Sequence, residues 1–374
     1  MIPLIQPLKM AVATVDRRES VLVRVHTSEG LVGLGEAVLA PYFTGETQVG
    51  AKGAIERLLA PALLGMDAFD LQAIIQRMNR ALTGNPATKA SIDLALHDVL
   101  AKALNVPLYK LLGGKVRDRV DSTWYLSASD PEHVADEARQ GVEEGFQAVK
   151  IKLGTQPAIV DLQRLKAVRE AVGEEVQIRA DANQAWAPVE AIKFLKAAAE
   201  FGLQFIEQPV KRGDVDGMAQ VARSVDVAVA PDEGLFDAED ALRYIQAAAA
   251  DGVVMKLIKT GGLLGARKLA DVVETANLEL HLGGMPGETS ICAAAAVHLA
   301  VALPALSGTR GSTHTLPGSM WLPSACHRSR EPIFRLKSRA SVLSWMRRRS
   351  PIAGSTSKAS SLHKRIHTQR MWAL

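Results

Sequence analysis

The sequence contains almost no cysteine and no stretch typical of a leader or a membrane span. Two cysteines among 374 residues, Cys292 and Cys326, provide neither a disulfide framework nor the paired spacing of a zinc site. The first residues lack the basic start of a signal peptide, and the alanine-rich run 292–304 is too short to cross a bilayer. These absences predict a cytoplasmic protein without a membrane partner.

Motifs for phosphate and nucleic-acid binding are also absent, and acidic residues become rare in the last part of the chain. Residues 309–374 contain thirteen Lys/Arg and one acid, Glu331, whereas the rest of the chain contains 31 basic and 39 acidic residues. The segment therefore has a charge of +12, against −8 elsewhere. We interpret this atypical basic tail as a disordered segment or as the product of a shifted reading frame, and we expect no nucleic-acid partner.

Five short apolar runs between residues 148 and 260 end in a charged residue, and helix-like sequence follows them. The charged residues are 31, 26, 25 and 24 positions apart. A strand, a helix and two short loops occupy that length in a parallel barrel. The carboxyl ends of barrel strands converge on one face, so we expect these side chains to meet. In chain order they are Lys150, Asp181, Glu207, Asp232 and Lys256.

The pattern predicts an α/β fold, a TIM-type (β/α) barrel of seven or eight strands with an α+β capping domain formed mainly by the N-terminus. The capping domain is expected at residues 1–115, the barrel with the site at 116–308 and the basic tail at 309–374. Within the cap, residues 20–37 are typical of a hairpin, and residues 11–19 of a mobile link before it. We expect the tail to contribute little to the site.

Three of the five charged residues are carboxylates, which are hard oxygen ligands for divalent cations. Asp181, Glu207 and Asp232 would stand on successive strands and repel one another unless a cation neutralised them. Oxygen ligands of this kind suit Mg²⁺, with Mn²⁺ as the alternative. Glu233 is an alternative ligand on the third strand, but Asp232 comes first after the apolar run and is preferred. One acid at a strand end would be an ordinary surface charge, whereas three at matched spacing predict a metal site.

Lysines flank the same predicted site. Lys150 and Lys152 are two residues apart on one strand and therefore point to the same face, here the barrel interior. Near a cation and another lysine, the pKa of such an amine is expected to fall, which makes it a general base near neutral pH. Lys256 would approach from the opposite side. Two bases and a metal around one carbon suit proton abstraction next to a carboxylate, through an enediolate.

The motifs around these residues resemble the enolase superfamily. Within it, they are similar to the muconate lactonizing enzyme (muconate cycloisomerase) subgroup of the mandelate racemase/muconate lactonizing enzyme family. The resemblance covers residues 4–308. The matching motifs are Lys150-Ile151-Lys152, Asp181-Ala182-Asn183, Ile206-Glu207-Gln208-Pro209, Asp232-Glu233, Lys256, Lys259-Thr260-Gly261-Gly262 and, in the cap, Gly33-Leu34-Gly35-Glu36.

The resemblance implies roles for individual residues. Asp181, Glu207 and Asp232 would be the metal ligands, and Lys152 and Lys256 would be the two acid/base groups. Trp124, on the first barrel strand, is implied as a substrate contact, but core packing is an equally open interpretation. The implied substrate-binding residues are Lys150, Trp124 and Glu288, and the implied supporting residues are Asn183, Glu233 and Lys259.

The implied activity is that of a metal-dependent isomerase that abstracts a proton alpha to a carboxylate, as muconate cycloisomerase does. Two alternatives are open: a racemase or epimerase of N-acylated or N-alkylated amino acids, and a product whose altered C-terminus impairs catalysis. The implied partner is a small carboxylate substrate, and a homo-oligomer is expected. Substrate choice in this superfamily depends largely on loops of the capping domain, here Lys9–Glu19 and Pro41–Thr47, which do not indicate one substrate.

Overall fold

The N-terminal part of the chain begins with an antiparallel sheet. The computed structural model describes residues 2–308, 310–311, 333–335 and 372–373. The central strand of the sheet pairs with both of its neighbours. In chain order the strands are β1 (Ile2–Lys9), β2 (Thr14–His26) and β3 (Val32–Leu39).

Strand β2 corrects one expectation from the sequence. The predicted hairpin is present, because β2 and β3 pair in register from Glu19 to His26. Residues 11–19, however, are not a mobile link, since β2 begins at Thr14 and pairs with β1. The polar run in this segment concealed the strand, because an antiparallel sheet can leave one of its faces to solvent.

Helical segments follow the sheet and lead to the barrel. They are α1 (Gln48–Ala54), a π-helical turn (Ile55–Leu59), α2 (Ala60–Leu63), α3 (Leu71–Ala81), α4 (Pro86–Leu104) and α5 (Leu108–Leu111). Helix α4 is buried over most of its length, because it contacts the sheet as well as a later turn at residues 257–260. This helix therefore joins the cap to the rest of the protein.

Two glycines let β3 lie directly against α4. A side chain at Gly33 would place its Cβ 1.9 Å from the carbonyl oxygen of Ala95, and one at Gly35 would place it 1.7 Å from that of Ser91. Both distances lie far inside van der Waals contact, so this approach requires glycine. The close packing of the sheet on the helix thus depends on having glycine at both positions.

We expect Gly35→Ala to lower the free energy of unfolding by about 3 kcal/mol, since its methyl group must push β3 away from α4. The matched control is Gly53→Ala in α1, where a Cβ meets nothing within 4 Å. That control should raise stability by about 0.8 kcal/mol through helix propensity. Urea unfolding followed by circular dichroism measures both shifts. Equal shifts of the two variants would contradict the close-packing argument.

Parallel strands alternate with helices in the second part of the chain. The strands are β4 (Arg119–Tyr125), β5 (Ala148–Lys152), β6 (Gln177–Asp181), β7 (Leu203–Glu207), β8 (Ala228–Ala230), β9 (Gly252–Met255), β10 (Glu279–Leu282), β11 (Leu306–Gly308) and β12 (Arg310–Gly311). The helices are α6 (Pro131–Glu143), α7 (Ala158–Val172), α8 (Pro188–Ala197), a 3₁₀ turn (Ala199–Phe201), α9 (Val215–Ala222), α10 (Ala238–Gln246), α11 (Leu257–Thr260), α12 (Leu263–Thr275) and α13 (Ser290–Ala302).

These strands close into a barrel. Strands β4 to β8 pair in chain order, a hydrogen bond from the backbone N of Val254 to the O of Pro231 (3.0 Å) joins β9 to β8, and β10 pairs with β9. The eighth position is shared by β11, which pairs with β10, and β12, which pairs with β4. The fold is therefore α/β, a TIM-type barrel with an N-terminal α+β cap, and the prediction of this fold is confirmed.

Aspartates define where three barrel helices begin. Asp130, Asp214 and Asp237 each accept hydrogen bonds of 2.8–3.0 Å from backbone N–H groups in the first turns of α6, α9 and α10. Such caps satisfy N–H groups that have no partner inside the helix. They therefore fix the lengths of the loops that leave the carboxyl ends of the strands.

Two buried acids of the cap bind the backbone of barrel helices. Glu36 on β3 accepts hydrogen bonds from the backbone N (3.0 Å) and the Oγ1 (2.7 Å) of Thr289, and from the backbone N of Cys292 (3.4 Å), at the start of α13. Asp93 on α4 accepts one from the backbone N of Leu263 (2.6 Å) at the start of α12. Burial raises the pKa of Glu36 to about 7, although the bonds from Thr289 oppose the shift. Both acids fasten the cap to the barrel face where the strands end.

Besides β12, two further short segments of the basic tail pair with strands described above. β13 (Ile333–Arg335) runs antiparallel to β4, and β14 (Trp372–Ala373) runs antiparallel to β2. The sequence predicted neither pairing, and the other expectations for the tail lie outside the described residues. The domain boundaries at residues 115 and 308 stay predictions. No helix in the described part of the chain has the length and apolarity that a membrane crossing requires.

Candidate active site

Three carboxylates lie side by side where β6, β7 and β8 end. Asp181 is the last residue of β6 and pairs with Glu207, the last residue of β7, which pairs in turn with Ala230 of β8. Asp232 follows Ala230 after one proline. All three acids are at most 1% exposed. Burying three acids together is unfavourable unless cations balance them, so this cluster is a candidate for chemistry.

Each of these carboxylates contacts a lysine ammonium group. The lysines come from β5 and from the chain just after β9, and they are buried like the acids. The predicted strand-end residues are therefore gathered in one cluster. The pairs are Asp181 with Lys152, Glu207 with Lys150, and Asp232 with Lys256 and Lys259.

Two of the lysines face each other across the barrel. Lys152 ends β5, the second barrel strand, and Lys256 follows β9, the sixth. Strands four places apart in an eight-stranded barrel lie on opposite sides, so the two amines approach the central space from opposite directions. A planar carbon between them would present one face to each amine.

The charges of the cluster shift the pKa values of its acids in different directions. Burial and the two neighbouring aspartates raise the pKa of Glu207 to about 8, although Lys150 opposes the shift. Burial would raise the pKa of Asp232 as well, but Lys256 and Lys259 hold it well below its usual range. The charged form is therefore favoured more strongly at Asp232 than at Glu207.

The pKa values of Lys150 and Lys256 differ from the fall that the sequence led us to expect. Burial lowers the pKa of Lys150, but Glu207 and further neighbours outweigh it, so that the pKa lies well above its usual value. Burial also opposes the rise in the pKa of Lys256, which Asp232 and Glu207 cause. The physical reason is that these two amines are in direct contact with carboxylates, Lys150 with Glu207 and Lys256 with Asp232. The expected fall assumed a cation on the carboxylates, which would cancel this attraction.

The donor set fits a hard divalent cation, although the carboxylates are turned towards the lysines. Within the described residues, no three acids, histidines or cysteines are arranged to enclose a metal ion. The ion pairs explain this, because each carboxylate points at an ammonium group. Two buried oxygens, Oε1 of Glu207 and Oε2 of Glu233, nevertheless find no hydrogen-bond partner among the described residues. Such oxygens beside three adjacent acids provide the chemistry that Mg²⁺ requires.

Asn183 joins two parts of the cluster. Its Oδ1 accepts a hydrogen bond from Nζ of Lys152 (2.8 Å), and its Nδ2 donates to Oε1 of Glu233 (2.9 Å). Its backbone N donates to Oδ1 of Asp181 (2.9 Å). The residue has a φ of 41°, in the left-handed region that asparagine tolerates better than most residues. Asn183 thus lies where the sequence predicted a supporting residue.

Lys259 and Gln208 hold Asp232 from two directions. Nζ of Lys259 donates to the backbone O and to Oδ1 of Asp232, both at 2.7 Å. Oε1 of Gln208 accepts from the backbone N of Asp232 (2.9 Å) and of Gly234 (3.0 Å). Sequence reasoning assigned no role to Gln208, although the residue lies within a matching motif. Its φ of 39° is positive, which is uncommon for a residue other than glycine, and the sequence alone does not show it.

Arg164 on α7 fixes the strand end that carries Lys152. Its Nη1 donates to the backbone O of Lys152 (2.9 Å) and to Oδ1 of Asp161 (2.7 Å). Its Nη2 donates to the backbone O of Ser127 (2.9 Å), beyond the end of β4. The side chain is fully buried. The sequence held no indication of this role, because arginines in helices mostly face solvent.

The sequence matches two family descriptions over most of its length. Residues 2–113 match the mandelate racemase/muconate lactonizing enzyme N-terminal domain, and residues 133–320 match the enolase C-terminal domain-like family. The chain belongs to the mandelate racemase/muconate lactonizing enzyme family. This family lies within the enolase superfamily, as the motifs around the carboxylates predicted.

Members of this family with related sequences are epimerases and cycloisomerases. The hydrophobic dipeptide epimerase of Enterococcus faecalis is 39% identical over 301 residues, which cover 80% of this chain and 84% of the relative. The chloromuconate cycloisomerase of Cupriavidus pinatubonensis is 34% identical over 292 residues, which cover 77% and 78%. A crystal structure of the Enterococcus faecalis dipeptide epimerase with Mg and L-Leu-L-Tyr has a TM-score of 0.83 and 35% identity, covering 91% of this chain and 96% of that one.

The chain is accordingly an isomerase of the mandelate racemase/muconate lactonizing enzyme family. Sequence reasoning put the cycloisomerase first and the racemase or epimerase second. The comparisons favour the second interpretation. The relative with 39% identity and the protein in the solved structure are dipeptide epimerases, whereas the cycloisomerase is 34% identical.

Trp124, which the family resemblance implied as a substrate contact, is turned away from the carboxylate cluster. Trp124 on β4 packs against Phe146, with ring centroids 5.0 Å apart, and against Gly141 of α6, where a Cβ would lie 2.6 Å from the indole. Its neighbour Tyr125 faces the barrel interior instead, with its ring centroid 5.6 Å from Nζ of Lys150. These contacts favour the core-packing interpretation of Trp124, and its role in binding substrate stays a prediction.

Glu288 shapes the loop that follows β10. Its Oε1 accepts a hydrogen bond from the backbone N of Met285 (2.7 Å) within the same loop. It directly precedes Thr289, which binds Glu36 of the cap. A role for Glu288 in binding substrate stays a prediction.

Proposed function

We propose that this protein is a metal-dependent epimerase of dipeptides or related N-acylated α-amino acids. The observation that carries the proposal is the placement of Lys152 and Lys256 on opposite sides of the barrel, with the carboxylate cluster beside both. Inversion at a carbon needs a proton-transfer group on each face, and the two amines meet that need. The dipeptide epimerases among the relatives support the substrate class.

Each lysine has one task in each direction of the reaction. In one direction the free amine of Lys152 takes the α-proton and becomes an ammonium group, while the ammonium of Lys256 gives a proton to the opposite face. The reverse reaction exchanges the two roles. One proton is taken and one is given, so the configuration inverts and no co-reactant is consumed.

Neighbouring groups would bind and orient the substrate. Lys150 would hold the substrate carboxylate, because its amine lies buried in the same cluster. Asp181, Glu207 and Asp232 would hold Mg²⁺, or Mn²⁺ in its place. When bound, the cation balances the negative charge that develops on the substrate carboxylate as the α-proton leaves. We further propose that the protein lies in the cytoplasm, because it contains so little cysteine, and that it forms a homo-oligomer, as the family resemblance implies.

A cycloisomerase of the muconate type is the second candidate. It is favoured by the 34% identity to a chloromuconate cycloisomerase. Such a reaction opens or closes a lactone and needs proton transfer on one face, so one lysine would matter far more than the other.

The decisive experiment is proton exchange in D₂O. The purified chain with Mg²⁺ is incubated with a panel of apolar dipeptides, and NMR follows the α-proton of the C-terminal residue, the one next to the free carboxylate. We expect loss of that signal and formation of the second epimer, both abolished by EDTA. The matched control is the same dipeptide with a C-terminal amide, which lacks the carboxylate and should not exchange.

Two results would contradict the proposal. Turnover of cis,cis-muconate without exchange of any dipeptide would favour the cycloisomerase. Absence of exchange and turnover with every probe would favour the alternative that the altered C-terminus impairs catalysis.

A further inference from the structure

A loop of the cap places an aromatic ring on one of the two opposed lysines. The loop covers residues 40–47, between β3 and α1. Its Phe43 is 5% exposed, and its ring centroid lies 4.6 Å from Nζ of Lys256 and 6.0 Å from Nζ of Lys259. An ammonium group at such a distance from an aromatic ring is attracted to the ring face. Lys256 therefore has a partner from the cap as well as its carboxylate.

The loop is anchored at its cap end. The backbone O of Ala40 accepts hydrogen bonds from the backbone N of Phe43 (2.8 Å) and of Thr44 (2.9 Å), which form a tight turn. The carboxylate of Glu46 accepts from the backbone N of Ala87 (3.0 Å) and of Thr88 (2.8 Å) at the start of α4. The backbone on both sides of the ring is thus fixed.

The barrel holds the same ring from the other side. Nη1 of Arg212 donates to the backbone O of Phe43 (3.3 Å), and the ring of Phe236 lies 6.0 Å from that of Phe43. Both residues belong to loops at the carboxyl ends of the strands, between β7 and α9 and between β8 and α10. Phe43 is therefore held between the cap and the barrel by contacts from both sides.

We propose that Phe43 is a positioning residue for Lys256 in the epimerisation proposed above. The ring limits the directions that the long lysine side chain can take, and it closes that side of the amine to water. Lys152 is held differently, by Oδ1 of Asn183 at 2.8 Å and by Asp181. Loss of the ring should therefore affect the proton transfers of one lysine and spare those of the other.

The test compares exchange of the two substrate epimers in Phe43→Leu. The epimer whose exchange depends on Lys256 is defined by the Lys256→Ala variant. Exchange of that epimer should fall about tenfold in Phe43→Leu, whereas exchange of the other should change less than about twofold. Phe43→Tyr keeps the ring and should restore the lost exchange. Phe201→Leu, in the 3₁₀ turn that precedes β7 at the other end of the barrel, is the matched control for losing a ring.

An equal loss for both epimers, or no loss for either, would overturn the proposal, since cap closure or simple packing would then explain the ring. A second measurement does not depend on activity. In protein labelled with ¹³C at the lysine ε-carbons, the signal of Lys256, assigned with Lys256→Arg, should be shifted upfield by the ring, and Phe43→Leu should remove that shift. An unshifted Lys256 signal in the wild type would overturn the proposal. Failure of the wild type to exchange any dipeptide would contradict the proposed function alone, and the NMR result would still decide on Phe43.

Discussion

Lys256→Ala should stop α-proton exchange from one epimer of the substrate and leave exchange from the other. The expected loss is about 10²–10⁴-fold, which is the usual contribution of a positioned general base. The reason is geometric, because Lys256 serves one face of the α-carbon and Lys152 serves the opposite face. Exchange of each pure epimer in D₂O, followed by NMR, measures the effect. Net epimerisation should be lost for both epimers, since inversion needs both amines.

Lys152→Ala should give the mirror result, with the other epimer affected. Lys193→Ala is the matched control, because this lysine lies exposed on α8, away from the cluster. Equal residual exchange of both epimers in both active-site variants would rule out two opposed bases. A large effect of one lysine and a small effect of the other would instead agree with the cycloisomerase.

Glu207→Gln should weaken Mg²⁺ binding measured by calorimetry and should abolish exchange from both epimers. The glutamate is the central one of the three adjacent carboxylates, and one of its oxygens is buried without a hydrogen-bond partner among the described residues. Its amide counterpart keeps the shape but loses the charge that a hard cation requires. We expect affinity for Mg²⁺ to fall at least about tenfold, which corresponds to about 1.4 kcal/mol.

Glu200→Gln is the matched control for this change. Glu200 is exposed in the 3₁₀ turn, so the control should bind Mg²⁺ like the wild type. Circular dichroism should show the same fold for both variants. Unchanged Mg²⁺ affinity in Glu207→Gln would refute the assignment of the metal ligands, whatever its effect on activity.

The positions of the charged cluster could be predicted because barrel topology converts sequence spacing into proximity. Parallel strands that follow one another in the chain must end on the same face, so Asp181, Glu207 and Asp232 had to meet once the strands were recognised. The same-face placement of Lys150 and Lys152 followed from the two-residue period of a strand.

The orientation of Trp124 could not be predicted, for a reason that lies in the same topology. A barrel strand is buried on its inner face and also on its outer face, under helices, so hydrophobicity does not alternate along it. Trp124 and Tyr125 are adjacent aromatic residues on β4, and either could have faced the interior. Gly141 decides the matter, because its missing side chain on α6 leaves room for the indole.

The two supporting arginines, Arg164 and Arg212, could not be predicted because they act through backbone atoms of distant segments. Arg164 binds the carbonyl group of Ser127, which lies 37 positions earlier, and Arg212 binds that of Phe43, which lies 169 positions earlier. A backbone carbonyl leaves no trace in the sequence. Such contacts become visible only when the fold has brought the segments together.

The contact between Glu36 and Thr289 has a consequence for the order in which the cap and the barrel can assemble during synthesis. The two residues are 253 positions apart, and synthesis at about 5–20 residues per second separates them by roughly 10–50 s. During that interval the carboxylate of Glu36 lacks the start of α13, to which it binds in the folded protein. The cap is therefore made before the barrel, yet it cannot settle into its final position until α13 has emerged.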